Sequence, residues 1–279
     1  MSAWITQTFG SVEALAQVAI AGLAGGVVGV HVVLRRLSFL TMGLTHATFP
    51  GLVLAGMLGM NLLAGTLIFG VAVVALIVAL GTADQVESSS AIGVVLTAGF
   101  ALGVVMVSAS DGYARDLSAY LTGSVATVSF TDVWITAAAA IVVVGGLALL
   151  HKELVLGAFD PGSLAALGYP VLALDLALMV GIEVTVVTAL PVTGTILCVA
   201  LLVAPAAAAR LWSDDLATTM VIAAGFGVAS GALGLAISVA ARTAAGATVA
   251  LVAAGFFVLS TLISTARSAR RSPQPTLAP

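Results

Sequence analysis

The sequence predicts an all-α fold, a polytopic integral membrane helical bundle of about eight or nine transmembrane helices. Three observations carry this. Of 279 residues, 61% are hydrophobic and only 8% charged, where a water-soluble domain carries about 25% charged residues. The mean hydropathy is +1.23. The apolar residues also fall in runs of about 20, the length a helix needs to cross a bilayer core of ~30 Å.

Measured against that length, nine segments qualify: Glu13–Leu34, Ser38–Met57, Leu62–Thr82, Ala91–Ser108, Thr131–Leu150, Leu172–Leu190, Thr193–Trp212, Ala217–Ala241 and Ala247–Ala266. The second is the weakest as a full span, because it carries Thr45, His46 and Pro50. Eight spans plus a re-entrant segment is the competing count, since irregular backbone at membrane depth is tolerated when buried in protein or facing water.

Charge sets the expected orientation. With nine spans and a cytoplasmic C-terminus, Arg35, Arg36, Lys152, Arg210, Arg267, Arg270 and Arg271 fall inside, and only Arg115 and Arg242 fall outside. The N-terminus is therefore expected outside, in a multi-pass protein of the plasma membrane. One transmembrane domain is expected over 1–266, with a basic, Pro/Ser-rich cytoplasmic tail over 267–279 that is expected to be disordered.

Thirty glycines, with small-residue runs such as Ala21–Gly26 and Gly225–Gly234, predict helix faces at which backbones approach closely. Two connections are longer and more polar. Asp111–Ser129 is expected outside, where Asp111, Tyr113 and Asp116 read most simply as solvated residues. The connection over about 151–170 is expected in the cytoplasm. Within it, Asp160 can cap a short helix with Pro161 at its first position, and Gly168 can end it. Such a helix suits docking to a soluble partner, and equally an ordinary interfacial helix.

Several chemistries are excluded or disfavoured. Cys198 is the only cysteine, so there is no internal disulfide and no thiolate zinc cluster; it reads as a small core residue. No G-x-x-x-x-G-K-[ST] phosphate loop is present, so ATP hydrolysis by that route needs another subunit, and no H-E-x-x-H pair marks a membrane enzyme. No basic stripe suits nucleic acid. Met1–Gln17 lacks the basic region of a removable signal peptide.

Five ordered stretches resemble a known family. They are Val32-Val33-Leu34-Arg35-Arg36-Leu37-Ser38-Phe39 running into Leu44-Thr45-His46-Ala47; Asp116–Gly123; Phe159-Asp160-Pro161 with Ala166-Leu167-Gly168; Ala200–Arg210 with its Pro205-Ala206-Ala207-Ala208-Ala209-Arg210; and Ala245-Gly246 with Val249-Ala250-Leu251. In order and spacing they resemble the permease subunits of ABC importers for zinc, manganese and iron, from about Val32 to Phe257. The resemblance implies a permease that pairs with a second permease copy and binds cytoplasmic ABC ATPase subunits through Phe159, Asp160, Pro161, Leu167 and Gly168. It also implies an extracellular solute-binding protein that delivers the ion. No permanently bound cofactor is implied; a divalent metal ion is the cargo. Two departures stand out. Members commonly carry an acidic residue four before the histidine, here Met42. At the entry to the last helix, Arg242, Ala244 and Ala247 replace an acidic residue and two prolines.

Ionisable groups at membrane depth cost roughly 2.5–3.5 kcal/mol at a helix centre on insertion scales, so they are candidate functional residues. His46 lies eight residues into the second segment, roughly 12 Å deep at helical rise, and matches the family's histidine. Glu183 lies at comparable depth in the sixth. An imidazole and a carboxylate can hold a partly hydrated divalent ion, and Glu183 is a candidate replacement for the carboxylate missing at Met42. The ordinary alternatives are a histidine and a glutamate bonded within the bundle. Met42 shares a helix face with His46; a thioether there favours softer ions, and is also what packing looks like. His31 reads as interfacial and His151 as solvated. Pro205 is a possible helix kink. The same fold carrying a metal chelate or haem, and a secondary transporter driven by an ion gradient, remain alternative functions.

Overall fold

A computed structural model describes residue 8 and residues 11–81, 88–109 and 128–271. Among the described residues every regular element is helical. We label them α1 (Val12–Leu34), α2 (Ser38–Ala47), α3 (Phe49–Met57), α4 (Leu62–Gly81), α5 (Ser88–Ser108), α6 (Phe130–Leu149), α7 (His151–Phe159), α8 (Pro161–Ala166), α9 (Val171–Thr193), α10 (Thr195–Arg210), α11 (Leu216–Ala241) and α12 (Ala245–Arg271). The last helix thus continues five residues past the expected domain end at 266. Asp111, Tyr113, Arg115 and the Asp116–Gly123 stretch lie outside the described residues.

Among the described residues eight segments are long and apolar enough to cross a membrane, counting α2 and α3 together as Ser38–Met57. Ser38–Met57 is not one helix. Pro50 cannot donate to the His46 carbonyl, and its ring would crowd that carbonyl. The chain therefore caps α2 at Thr48 and restarts as α3 with Pro50 in the first turn, where proline is tolerated. The short segment is the seventh of the nine expected. Its helix, α10, has 16 residues, about 24 Å at helical rise and so short of the ~30 Å core. It is short because α9 runs on to Thr193 and a single residue, Gly194, separates the two helices. Gly194 has φ 73° and ψ 164°, a region that glycine alone occupies readily.

α1 is the central post. It starts with Ser11, whose hydroxyl accepts from the Ala14 N–H at 2.9 Å, a regular N-cap. α11 lies antiparallel against it: Val18 meets Gly231, Gly22 meets Gly227 and Gly26 meets Ala223. A side chain on Gly22 or Gly227 would strike the other's backbone. α10 runs parallel to α1, with Leu201 at Gly25 and Leu202 at Gly29. α9 runs antiparallel to α1. The Gln17 Nε2 donates to the Thr188 carbonyl at 3.2 Å near one end, and Arg35 pairs with Asp175 near the other. α6 lies antiparallel to α9, its Thr136 hydroxyl donating to the Thr188 carbonyl at 3.4 Å. α2 and α3 run parallel to α5, with Gly43 at Ile92, Ala47 at Gly99 and Phe49 at Gly103, and α4 returns against α3 through Gly51 and Gly65. The described helices therefore pass the bundle nine times in alternating direction. One end collects Arg35, Arg36, Lys152, Arg210 and Arg267, where the Arg267 guanidinium lies 4.5 Å over the Trp212 ring.

Candidate functional site

His46 occupies the last turn of α2. Its Nδ1 lies 3.0 Å from the Met42 carbonyl. The Thr45 hydroxyl donates to that same carbonyl at 2.8 Å and touches Nδ1 at 3.0 Å. A carbonyl only accepts, so Nδ1 is the donor in this contact, the tautomer that in a neutral ring leaves Nε2 as the acceptor. Metal-binding imidazoles are commonly oriented in this way, with the second nitrogen donating to a backbone carbonyl. The ring packs edge-on against Phe100 of α5, 5.8 Å between ring centres. Met42 is 39% exposed and Phe39, one turn before it, is also exposed. Phe39, Met42 and His46 thus form a stripe at i, i+3 and i+7 on a face that the described helices leave partly open.

Glu183 is different. It lies in the middle of α9, 0% exposed, with both carboxylate oxygens lacking a hydrogen-bond partner. Its carboxylate fills the space over Gly70 of α4, which has no side chain to give. It therefore sits at an α4–α9 seam, not on the open stripe, and no hydrogen bond joins it to His46. Among the described residues no three His, Cys, Asp or Glu side chains converge on a metal-sized site. Pro205 lies inside α10, which is helical on both sides of it. It leaves the Leu201 carbonyl without its helical donor, facing Gly25 of α1.

The connection expected over 151–170 holds two helices rather than one. In α8, Asp160 is the N-cap, accepting from the Ser163 N–H at 2.9 Å and from the Ser163 hydroxyl. These bonds, the hydroxyl first, hold the Asp160 carboxyl below the usual carboxylate range. Pro161 fills the first position. At the far end the Gly168 N–H bonds to Ala165 at 3.0 Å and the Tyr169 N–H to Leu164 at 3.3 Å, with Gly168 at φ 84°. This is a Schellman end. Leu164 is buried and seats the helix, whereas Phe159 and Leu167 are 69% and 66% exposed. An apolar pair thus flanks a rigid, capped turn at the arginine-rich end.

Sequence reasoning missed what stands beneath that turn. Arg35, read only through the charge bias and the first family-like stretch, ends α1 and forms an ion pair with Asp175 at the start of α9. Its Nη2 also donates to the Leu154 carbonyl of α7 at 2.9 Å. One guanidinium therefore ties α1, α7 and α9 together under α8. Two histidines were misplaced. His31 is 0% exposed rather than interfacial. His151 begins α7 half-buried, its ring edge-on to His31 at 6.3 Å between centres.

The comparisons with known proteins bear on this arrangement. A family model described as the ABC 3 transport family matches residues 10–264. This chain belongs to the ABC 3 transport family. It is 35% identical over 252 residues to a manganese transport system membrane protein of Halalkalibacterium halodurans, covering 90% of this chain and 86% of the relative. It is 32% identical over 252 residues to a manganese import system permease protein of Streptococcus gordonii, covering 90% of each. Among solved structures, PsaBC of Streptococcus pneumoniae in complex with Fab superposes with a TM-score of 0.81 at 31% identity, covering 89% of both chains. The ABC 3 assignment agrees with the expected family and with the membrane-embedded helical fold.

Proposed function

We propose that this ABC 3 chain is the membrane-spanning subunit of an ATP-driven importer, giving a divalent metal ion its path across the plasma membrane. The observation that supports the reading is His46: an imidazole at membrane depth whose Nδ1 lies against a backbone carbonyl, on a stripe that the described helices leave partly open. Its relatives' names favour manganese among Zn, Mn and Fe.

The partly open stripe is where a second copy of the permease would close the path, bringing two His46 residues toward one another. An extracellular solute-binding protein would deliver the ion. Cytoplasmic ABC ATPase subunits would dock on Phe159 and Leu167 around the α8 turn. The arginine-rich end would then face the cytoplasm, with the N-terminus outside and the C-terminus inside, as the positive-inside rule has it.

Uptake by the reconstituted complex, measured in turn with Mn, Zn, Fe and Cu, tests the reading. ATP-dependent accumulation of a divalent ion is the expected result; no accumulation of any would overturn it. Glu183 lies off that stripe, at the α4–α9 seam, and reaches the ion only when α4 and α9 part during transport; on that reading Glu183→Gln lowers uptake severalfold while the complex still assembles. Unchanged uptake would remove Glu183 from the path.

Arg35 supplies a second test, of coupling. Breaking a buried ion pair costs about 3–5 kcal/mol, but Asp175 is 36% exposed, so Arg35→Ala should cost only about 1–3 kcal/mol. The expected phenotype is continued ATP hydrolysis with uptake reduced at least fivefold. The exchange Arg35→Asp with Asp175→Arg should restore part of it. Parallel loss of hydrolysis and uptake would show that Arg35 serves stability alone.

A further inference from the structure

We propose that Met42 is the specificity-determining residue of the path, and that it turns the path from manganese toward ions that nitrogen and sulfur hold, zinc and copper(I). The inference rests on the reading of His46 as part of that path. Met42 and His46 stand one turn apart on α2, where β-carbons four residues apart lie about 6 Å from one another. The His46 ring is turned back over that same turn, its Nδ1 3.0 Å from the Met42 carbonyl. The Met42 side chain is exposed, so its thioether is not spent on the core. An imidazole and a thioether therefore share one patch.

The donors missing from that patch matter as much. α2, α3, α4 and α5 together contain no Asp, Glu or Cys. Among the described residues the carboxylate at membrane depth is Glu183, and it is buried over Gly70 of α4. The Thr45 hydroxyl is spent on the Met42 carbonyl. On α5, Thr97 donates its hydroxyl to the Gly93 carbonyl at 2.8 Å. The patch thus offers neutral donors, and the two on side chains are nitrogen and sulfur.

Manganese is served best by carboxylate, carbonyl and water oxygens, and it binds a given site more weakly than the later first-row divalent ions do. Zinc takes imidazole readily, and a thioether draws soft ions, copper(I) above all. Charge acts in the same direction. A divalent ion that sheds water among neutral donors keeps its full charge in a medium of low dielectric, which is costly. Zinc offsets that cost by bonding nitrogen more strongly, and copper(I) by carrying half the charge. The names of the relatives point to manganese; the donors on this face do not.

The experiment is ATP-driven uptake by the reconstituted complex of manganese, zinc and, with ascorbate, copper(I), each measured against ion concentration. Wild type is expected to take up zinc severalfold more efficiently than manganese. Met42→Asp, which adds an anionic oxygen donor, should raise manganese uptake relative to zinc at least tenfold. Met42→Leu keeps the apolar bulk, and with it the packing, but has no sulfur. It should lower copper(I) uptake at least fivefold and leave manganese as poor a substrate as in wild type. A role in packing alone would move all three ions together. Wild type that takes manganese as well as zinc, a ratio that Met42→Asp leaves within twofold, or copper(I) uptake unchanged in Met42→Leu overturns the inference and leaves the path standing. No accumulation of any ion overturns the path itself, and this inference with it.

Discussion

His46→Ala is expected to lower ATP-driven metal uptake by at least tenfold, with the complex still assembled and still hydrolysing ATP. The side chain is half-buried against Phe100 and bonds within its own helix, at Met42 and Thr45, so its removal leaves no charge stranded and no large cavity. The loss would therefore report on the ion's path, not on folding. His46→Asn keeps a polar group near Met42 but lacks an imidazole Nε2, and is expected to be as defective as the alanine variant. The measurement is initial uptake rate in proteoliposomes against ion concentration. A rate within twofold of wild type in either variant would remove His46 from the path. Thr45→Val offers a graded companion. It removes the hydroxyl that shares the Met42 carbonyl, and perturbing a supporting group of this kind typically costs 10–100-fold in affinity where a metal is bound.

The second large effect is structural. Gly22→Val is expected to abolish accumulation of folded protein in the membrane. A β-carbon at Gly22 would meet the carbonyl oxygen and carbon of Gly227, and backbone has no rotamer with which to move aside. Overpacking an ordinary core costs about 1–3 kcal/mol; here α1 must separate from α11 along the contact that also holds Gly26 and Gly231, so the cost should exceed that range. In lipid, such close approach is a main source of helix association. The check is the yield of monodisperse protein after extraction. Gly225→Val, on the partner helix α11 at a position where nothing lies within contact distance of an added β-carbon, should accumulate normally. Equal yields of the two variants would show that the Gly22–Gly227 contact is dispensable.

What was legible in the sequence was whatever depends on neighbours in the chain. The α8 turn could be read residue by residue, because Asp160, Pro161 and Gly168 act through caps and fixed dihedrals that operate over a few residues. The spans were legible because hydrocarbon thickness sets their length. Pro50 marked the weak second segment for the same local reason. The shortness of α10 was hidden, because 193–209 carries no charge and only the backbone at Gly194 moves the boundary. Arg35 and Asp175 lie 140 residues apart, and nothing local ties them. The Glu183 seat over Gly70 and the His31–His151 contact depend in the same way on how distant helices meet. Burial of His31 was hidden for the same reason: it shares a helix face with Leu23, which is 42% exposed, and with the half-buried Val27.

The one-residue junction at Gly194 also bears on how the chain tolerates change. Other reversals have slack: 211–215 separates α10 from α11, and 58–61 separates α3 from α4. Insertions are generally accepted where backbone is exposed and has length to spare. At Gly194 there is neither a spare residue nor a permitted substitute conformation, so a single inserted residue would turn α10 about its axis and carry Leu201 and Leu202 off the α1 glycines. Length variation among descendants of this chain should therefore gather at the other connections and leave this corner at one residue.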